Sequence, residues 1–237
     1  MWGSVRQGEK DSAAKSASGR EANIGRKFSE ASPSLSMSHN SDRNPFYAKS
    51  PVREIAALCV AGRSIYKHLP GVVAFDKRRD ARTFSGGCPV VAHPPCKLWG
   101  ATRFIARSKD PDAEKALGVW CVAQVIENGG IVEQPMRSTL WDACGLPRVG
   151  DMSDPFLWTL YVEQSWFGYP ARKPTWLLLS GIPQSAVRLP LRLSDDARNV
   201  LELHDSLRSQ TTERFGKWLV ALARETWKSL PGKFPAK

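Results

Sequence analysis

Apolar and polar positions divide the chain into two textures that meet near residue 50. Before it, Ser, Lys, Arg and small residues follow one another without aliphatic clustering. From Ile55 onward, short β-branched runs and helical stripes take over. Gly71-Val72-Val73-Ala74-Phe75-Asp76 is a short apolar run closing on an acid, the pattern of a buried parallel strand. Val90-Val91-Ala92-His93-Pro94-Pro95-Cys96 repeats it, and the strand is expected to end at His93 because two prolines cannot continue a central strand. Asp110-Pro111-Asp112 opens a helix with an N-cap acid and a proline at the first position. Its inward face is read as Ala116, Leu117, Trp120, Cys121, Gln124 and Val125, and Gly129-Gly130 stops it. A third strand is predicted over 131–135, a fourth over 157–162, and a fifth over 175–179 past the turn at 168–174. Strand, helix, strand at this spacing predicts a βαβ unit and a mostly parallel α/β sheet. Phe215, Trp218, Leu219, Leu222 and Trp227 recur at helical spacing, which predicts a C-terminal amphipathic helix packed on that sheet.

Residues 1–50 hold eleven Ser, eight Lys or Arg and five Asp or Glu. So little apolar surface cannot offset the entropy of ordering, so a disordered arm is expected, read as a basic tether or a solvated tail. Residues 51–200 are expected to form the α/β domain and 201–237 a C-terminal helical segment. The chain carries 42% hydrophobic residues, nine Trp and nine Phe among 237 residues, enough for one core. Its net charge is +11; the first fifty residues contribute +3, so +8 belongs to the domain. That excess favours polyanionic partners. No apolar run approaches the roughly 20 residues of a membrane-spanning helix, and the N-terminus lacks the apolar core of a secretory signal. Cys59, Cys88, Cys96, Cys121 and Cys144 are odd in number and scattered, unlike a disulfide framework. A reduced, soluble, cytoplasmic protein is expected.

Ligands of open parallel sheets sit beyond the carboxyl ends of the strands. Three predicted strands end in distinctive chemistry there: Asp76, His93-Pro94-Pro95-Cys96, and Glu133-Gln134-Pro135. A cysteine in a loop stiffened by two prolines is a fixed, accessible thiol, and as a nucleophile it needs a lowered pKa. A nearby carboxyl held close to neutral can donate a proton. Cys88, His93 and Cys96 have the beginning of a zinc spacing, but no second ligand pair follows. Lys77, Arg78, Arg79 and Arg82 cluster behind Asp76, and Lys97, Arg103 and Arg107 behind the cysteine loop. They read either as phosphate contacts on a crevice rim or as a solvated basic face. His68 and His204 read as isolated surface residues. Trp141, Trp158, Trp166 and Trp176 read as core, and Trp99 as a base-stacking candidate.

Pro94-Pro95-Cys96 followed one helix later by Glu133-Gln134-Pro135 resembles the catalytic motifs of DNA cytosine C5-methyltransferases. The stretch from Tyr161 through Gly168 and Pro170 to Lys173 resembles that family's next block, with Trp176-Leu177-Leu178-Leu179 as its paired strand. From about Ser64 to Gly181 the chain is similar to small methyltransferase-like proteins encoded by phages and prophages. The resemblance implies a Rossmann-like methyltransferase-type domain that modifies cytosine in DNA. It implies Cys96 as nucleophile, Glu133 as acid, Arg172 or Lys173 as the block's basic residue, and S-adenosylmethionine as methyl donor, with Asp76 on its ribose and Pro94 beside it. The departures are specific. Leu58-Cys59-Val60-Ala61-Gly62-Arg63-Ser64 stands in place of the family's Gly-rich loop with one glycine and no Gly-x-Gly, and the block's Gln is Ala171. The 56 residues after Gly181 are expected to be too few for the family's separate target-recognition domain, so the protein reads DNA with very little, or a protein partner supplies that function, or it no longer methylates. Two other readings stay open: a degenerate methyltransferase fold that binds nucleic acid or a partner without turnover, and a Cys-dependent enzyme of pyrimidine nucleotides.

Overall fold

The computed structural model describes residues 53–190, 198–208 and 210–226. The expected arm at 1–50 and Trp227 lie outside the described residues. The elements run β1 (Ile55–Leu58), β2 (Val72–Ala74), β3 (Val90–Ala92), α1 (Pro111–Asn128), β4 (Gly130–Pro135), α2 (Leu140–Ala143), β5 (Leu157–Glu163), β6 (Ala171–Arg172), β7 (Pro174–Ser180), β8 (Arg198–Asn199), α3 (Asp205–Arg208) and α4 (Glu213–Arg224). Six strands form one mixed sheet in the order β2-β1-β3-β4-β7-β5, and β6 pairs with β8 separately. β2, β1, β3 and β4 are mutually parallel, while β7 runs antiparallel between β4 and β5. The βαβ unit is present as β3-α1-β4.

Period-two alternation sends one set of strand residues to each face. Ile55, Ala57, Val91, Ile131, Leu177 and Leu179 pack with Phe215, Leu219 and Leu222 of α4, on one side of the sheet. Ala56, Leu58, Val90, Ala92, Val132 and Leu178 pack with Cys121, Val122 and Val125 of α1, on the other. Asp110 caps α1 by accepting a hydrogen bond from the Ala113 N–H, with Pro111 at its first position, and Gly129 ends it at φ 77°.

Two details correct the sequence pattern. β2 is an edge strand, half-buried rather than buried, because only β1 covers it within the sheet. α1 buries Gly118, Cys121, Val122 and Val125, whereas Ala116 is exposed. Apolar side chains ring this helix, with Val119 and Ile126 also exposed, so periodicity cannot select its inner face. The contact with Trp99 does, since a Cβ on Gly118 would stand 2.7 Å from the Trp99 indole nitrogen.

Gly130 lets β4 lie against β3. Its φ is +122°, and a Cβ there would come within 2.0 Å of the Val90 carbonyl oxygen.

Candidate active site

The carboxyl ends of β2, β3 and β4 carry Asp76, His93 and Glu133, as the parallel order requires. The β3–β4 register runs from Val90↔Gly130 to Ala92↔Val132, so His93 and Glu133 are the next residues on each side. β4 itself continues to Pro135, because β7 keeps pairing with it as far as Pro135↔Thr175.

A chain of side-chain hydrogen bonds crosses this edge. The Tyr66 hydroxyl lies 2.8 Å from His93 Nε2, and His93 Nδ1 lies 3.0 Å from Glu133 Oε2. Gln164 Nε2 donates to Glu133 Oε1 at 3.0 Å and to Thr175 Oγ1 at 3.0 Å. Tyr66, Gln164 and Thr175 are buried, and Gln164 Oε1 is a buried acceptor with no partner. Burial and the Glu133 charge push the Tyr66 phenol well above its usual range. It therefore stays protonated and donates to Nε2 when His93 is neutral, which places the imidazole proton on Nδ1, facing Glu133.

Glu133 differs from the expected near-neutral acid. Burial pulls its pKa up, but the His93 hydrogen bond and charge, then Lys173, then Gln164 outweigh it and set the pKa below the ordinary value. Glu133 is a carboxylate at neutral pH. Cys96 also differs from expectation. The residue is exposed, yet enough protein crowds its thiol that desolvation pushes the pKa up; the Glu133 charge adds to this and Lys173 opposes it. The lowered pKa expected of a nucleophile is absent from the free protein.

The Cys96 loop is held from below. The buried Gln134 side chain donates to the Pro94 carbonyl at 2.6 Å and accepts from Ser138 Oγ at 3.1 Å. Cys96 O in turn accepts from the N–H groups of Trp99 and Gly100. Pro94 is buried and half-buried Pro95 leads out to Cys96. Adjacent residues of β4 thus divide the work, with Glu133 on His93 and Gln134 on the loop.

Several expected residues stand elsewhere. Arg172 pairs with Glu163 Oε1 at 3.4 Å with its side chain largely in solvent, and the cation whose charge reaches Cys96 and Glu133 is Lys173. Trp99 is core, 7% exposed, which removes it as a base-stacking platform. Both ring nitrogens of His93 are engaged, and no cluster of three metal-ligating side chains occurs among the described residues. Lys77, Arg78, Arg79 and Arg82 are exposed.

Asp76 forms an ion pair with Lys67, and its other oxygen accepts the N–H groups of Arg78 and Arg79 at 2.8 and 3.0 Å. The Lys67 hydrogen bond, then the two backbone donors, hold its carboxyl well below the usual range. A carboxylate offers about four lone-pair sites, so Asp76 retains acceptor capacity for a ribose hydroxyl. Behind β1, Cys59 adopts φ 59° and its sulfur lies 3.5 Å from that of Cys121. A side chain, not a glycine, occupies that turn. Asp76 thus keeps an open acceptor just past β2, while the turn after β1 offers no glycine cradle for the methionine end of S-adenosylmethionine.

Sequence motifs pointed to Cys96 and Glu133 but not to Tyr66, Gln164 or Thr175. Tyr66 meets His93 across 27 residues of chain, a contact with no local signature. No family model matches the chain, and no curated protein matches it.

Proposed function

We propose that the chain is a DNA cytosine C5-methyltransferase-like enzyme built on a Rossmann-like domain. The observation that carries this reading is the meeting of the Pro-Pro-Cys loop and Glu133 on hydrogen-bonded neighbouring strands, with Gln134 holding one and His93 the other. The mostly parallel sheet, covered by α1 and α4, with its polar groups at the carboxyl edge, supports the same reading.

In this mechanism the target cytosine leaves the base stack and enters the crevice. Cys96 gives its thiol proton to solvent and its sulfur bonds to C6 of the ring, while Glu133 delivers a proton to N3. Glu133 is ionised, so that proton reaches it from His93. With His93 protonated, Nε2–H faces the Tyr66 oxygen and Nδ1–H faces Glu133. Transfer of the Nδ1 proton leaves a neutral imidazole and a neutral carboxyl able to protonate N3. Asp76 would hold the ribose of S-adenosylmethionine, which when bound would supply the methyl group for C5 and leave as its demethylated product. Loss of the C5 proton to solvent then breaks the C6–S bond, returns the Cys96 thiolate and gives the N3 proton back to Glu133. Covalent addition is needed because C5 of the aromatic ring is otherwise a poor nucleophile. The raised Cys96 pKa matches a site that completes itself only with substrate bound, when N3 takes up a proton beside Glu133.

A second reading, a degenerate fold that binds DNA or a partner protein without turnover, is favoured by the Cys59 side chain in the cofactor turn. A pyrimidine-nucleotide enzyme using Cys96 is the third. Duplex DNA bearing 5-fluorocytosine decides among them, because fluorine cannot leave C5 as a proton does. A covalent adduct formed with S-adenosylmethionine and lost in Cys96→Ser supports methyl transfer. Absence of adduct despite bound methyl donor moves the reading to free nucleotides, and absence of both moves it to a binding protein.

A further inference from the structure

Two cysteines that the proposed chemistry does not use face one another behind β1. Cys59 directly follows the last residue of that strand, and Cys121 sits on the inner face of α1, fully buried. Their sulfurs lie 3.5 Å apart, although 62 positions of chain separate them. Cys59 holds φ at 59°, a left-handed backbone that favours glycine, and its side chain there meets a second sulfur. Cys59 is half-buried, and so partly open to solvent, whereas Cys121 is closed to it.

The two thiols differ in character. The hydrogen bond from Cys121 lowers the Cys59 pKa against the effects of burial and the Asp80 charge, with Arg82 adding to it. The same bond, together with burial, holds Cys121 far above its ordinary value. Burial also pushes up the thiols of Cys88, Cys96 and Cys144. Cys59 is therefore the thiol readiest to ionise, and thiolates are what peroxides oxidise. No third metal-ligating side chain joins the pair among the described residues. A disulfide sets its sulfurs about 2.0 Å apart, so closure asks for roughly 1.5 Å of side-chain adjustment.

We propose that Cys59 and Cys121 form a peroxide-responsive redox site that closes to a disulfide and fastens the turn after β1 to α1. Cys59 gives its proton to solvent and its sulfur attacks one oxygen of hydrogen peroxide. The O–O bond breaks, the departing hydroxide takes up a proton as water, and Cys59 becomes a sulfenic acid. The Cys121 sulfur then bonds to the Cys59 sulfur and displaces its oxygen, which leaves as a second water with the Cys121 proton. The two thiols lose two electrons in all, and one peroxide is reduced to two waters. Tyr66, Asp76, His93 and Cys96 all fall within the loop so closed, so the crosslink ties together the segment that carries them. The site goes beyond the methyl-transfer reading and does not depend on it.

The test treats the reduced full chain with hydrogen peroxide, quenches with catalase, and labels the remaining thiols with N-ethylmaleimide after unfolding. Of the five cysteines, three should take the label, and peptide mapping should join Cys59 to Cys121. Dithiothreitol should restore all five. Cys88→Ser should leave this disulfide unchanged, while Cys59→Ser should abolish it. In Cys121→Ser the oxidised Cys59 has no resolving thiol and should be trapped by dimedone as its sulfenic acid. The oxidised wild type should also unfold at a higher urea concentration than the reduced protein, because the crosslink constrains the unfolded chain. Labelling of all five thiols after peroxide overturns the proposal, as does a disulfide joining any other pair. Dimedone on Cys96 rather than Cys59 in Cys121→Ser overturns it too. A urea midpoint at or below that of the reduced protein removes the fastening of β1 to α1.

Discussion

His93 Nδ1 lies 3.0 Å from Glu133 Oε2, so the residue just past the end of one parallel strand is hydrogen-bonded to the first residue beyond the shared register of its neighbour. Tyr66 secures the far side of the imidazole and Gln164 the far side of the carboxylate. The pair has consequences for stability and for chemistry.

For stability, the folded pKa of Glu133 is depressed. Its contribution is therefore complete above the unfolded glutamate value, about 4.3, and is lost as pH falls through the lower folded value. Glu133→Gln should cost about 1–3 kcal/mol at neutral pH by disrupting the hydrogen bonds to His93 and Gln164. It should also lose that part of the acid limb. Urea denaturation of both proteins across the acid range checks the sign; parallel acid limbs would show that Glu133 is not held ionised.

For chemistry, His93→Asn keeps a side-chain hydrogen-bond donor but carries no transferable proton, so 5-fluorocytosine adduct formation should slow by about a hundredfold. A wild-type rate in His93→Asn removes His93 from the proton path.

Gln134→Leu should leave Cys96 in place but loosen it. The change removes the hydrogen bond to Pro94 O and the acceptor of the Ser138 hydroxyl, at a cost of about 1–3 kcal/mol. Adduct formation should slow, without being abolished as in Cys96→Ser. Equal rates for Gln134→Leu and the wild type would mean that the two prolines alone position the thiol.

Two glycines should respond oppositely. Gly130→Ala forces a Cβ into the Val90 carbonyl at 2.0 Å and should cost more than about 4 kcal/mol or prevent folding. Gly62→Ala meets nothing within 4 Å and should shift stability by no more than about 0.5 kcal/mol. Soluble yield and thermal melting of both variants settle this.

Asp76→Ala should lower S-adenosylmethionine affinity by about tenfold, the loss of one charge-assisted hydrogen bond. Lys67→Met leaves Asp76 held by the Arg78 and Arg79 N–H groups, and should bind at least as well as the wild type. Calorimetry reads both. A large loss in Lys67→Met would assign the lysine, rather than the carboxylate, to the ligand.

Local pattern carried much of the fold. Asp110-Pro111 and Gly129 delimit α1, since capping and φ preferences act within a few residues. The β-branched runs at 72–74 and 90–92 form strands, and the prolines after His93 mark where β3 must end. The same locality made Cys96 and Glu133 legible, because each belongs to a short motif at the end of a strand. The inner face of α1 was not legible, since apolar residues surround that helix and only packing against Trp99 and the sheet selects one side. The resemblance implied that 176–179 pairs with the strand at 161, as it does, but the antiparallel insertion of β7 beside β4 was not legible, since it depends on pairing partners and not on composition. Above all, charge states at the site belong to tertiary structure. A glutamate after a strand reads the same in any sequence, whereas Glu133 is ionised because His93, Lys173 and Gln164 converge on it from three other parts of the chain. Hydrogen bonding and desolvation act through space, and only the fold brings those groups within reach.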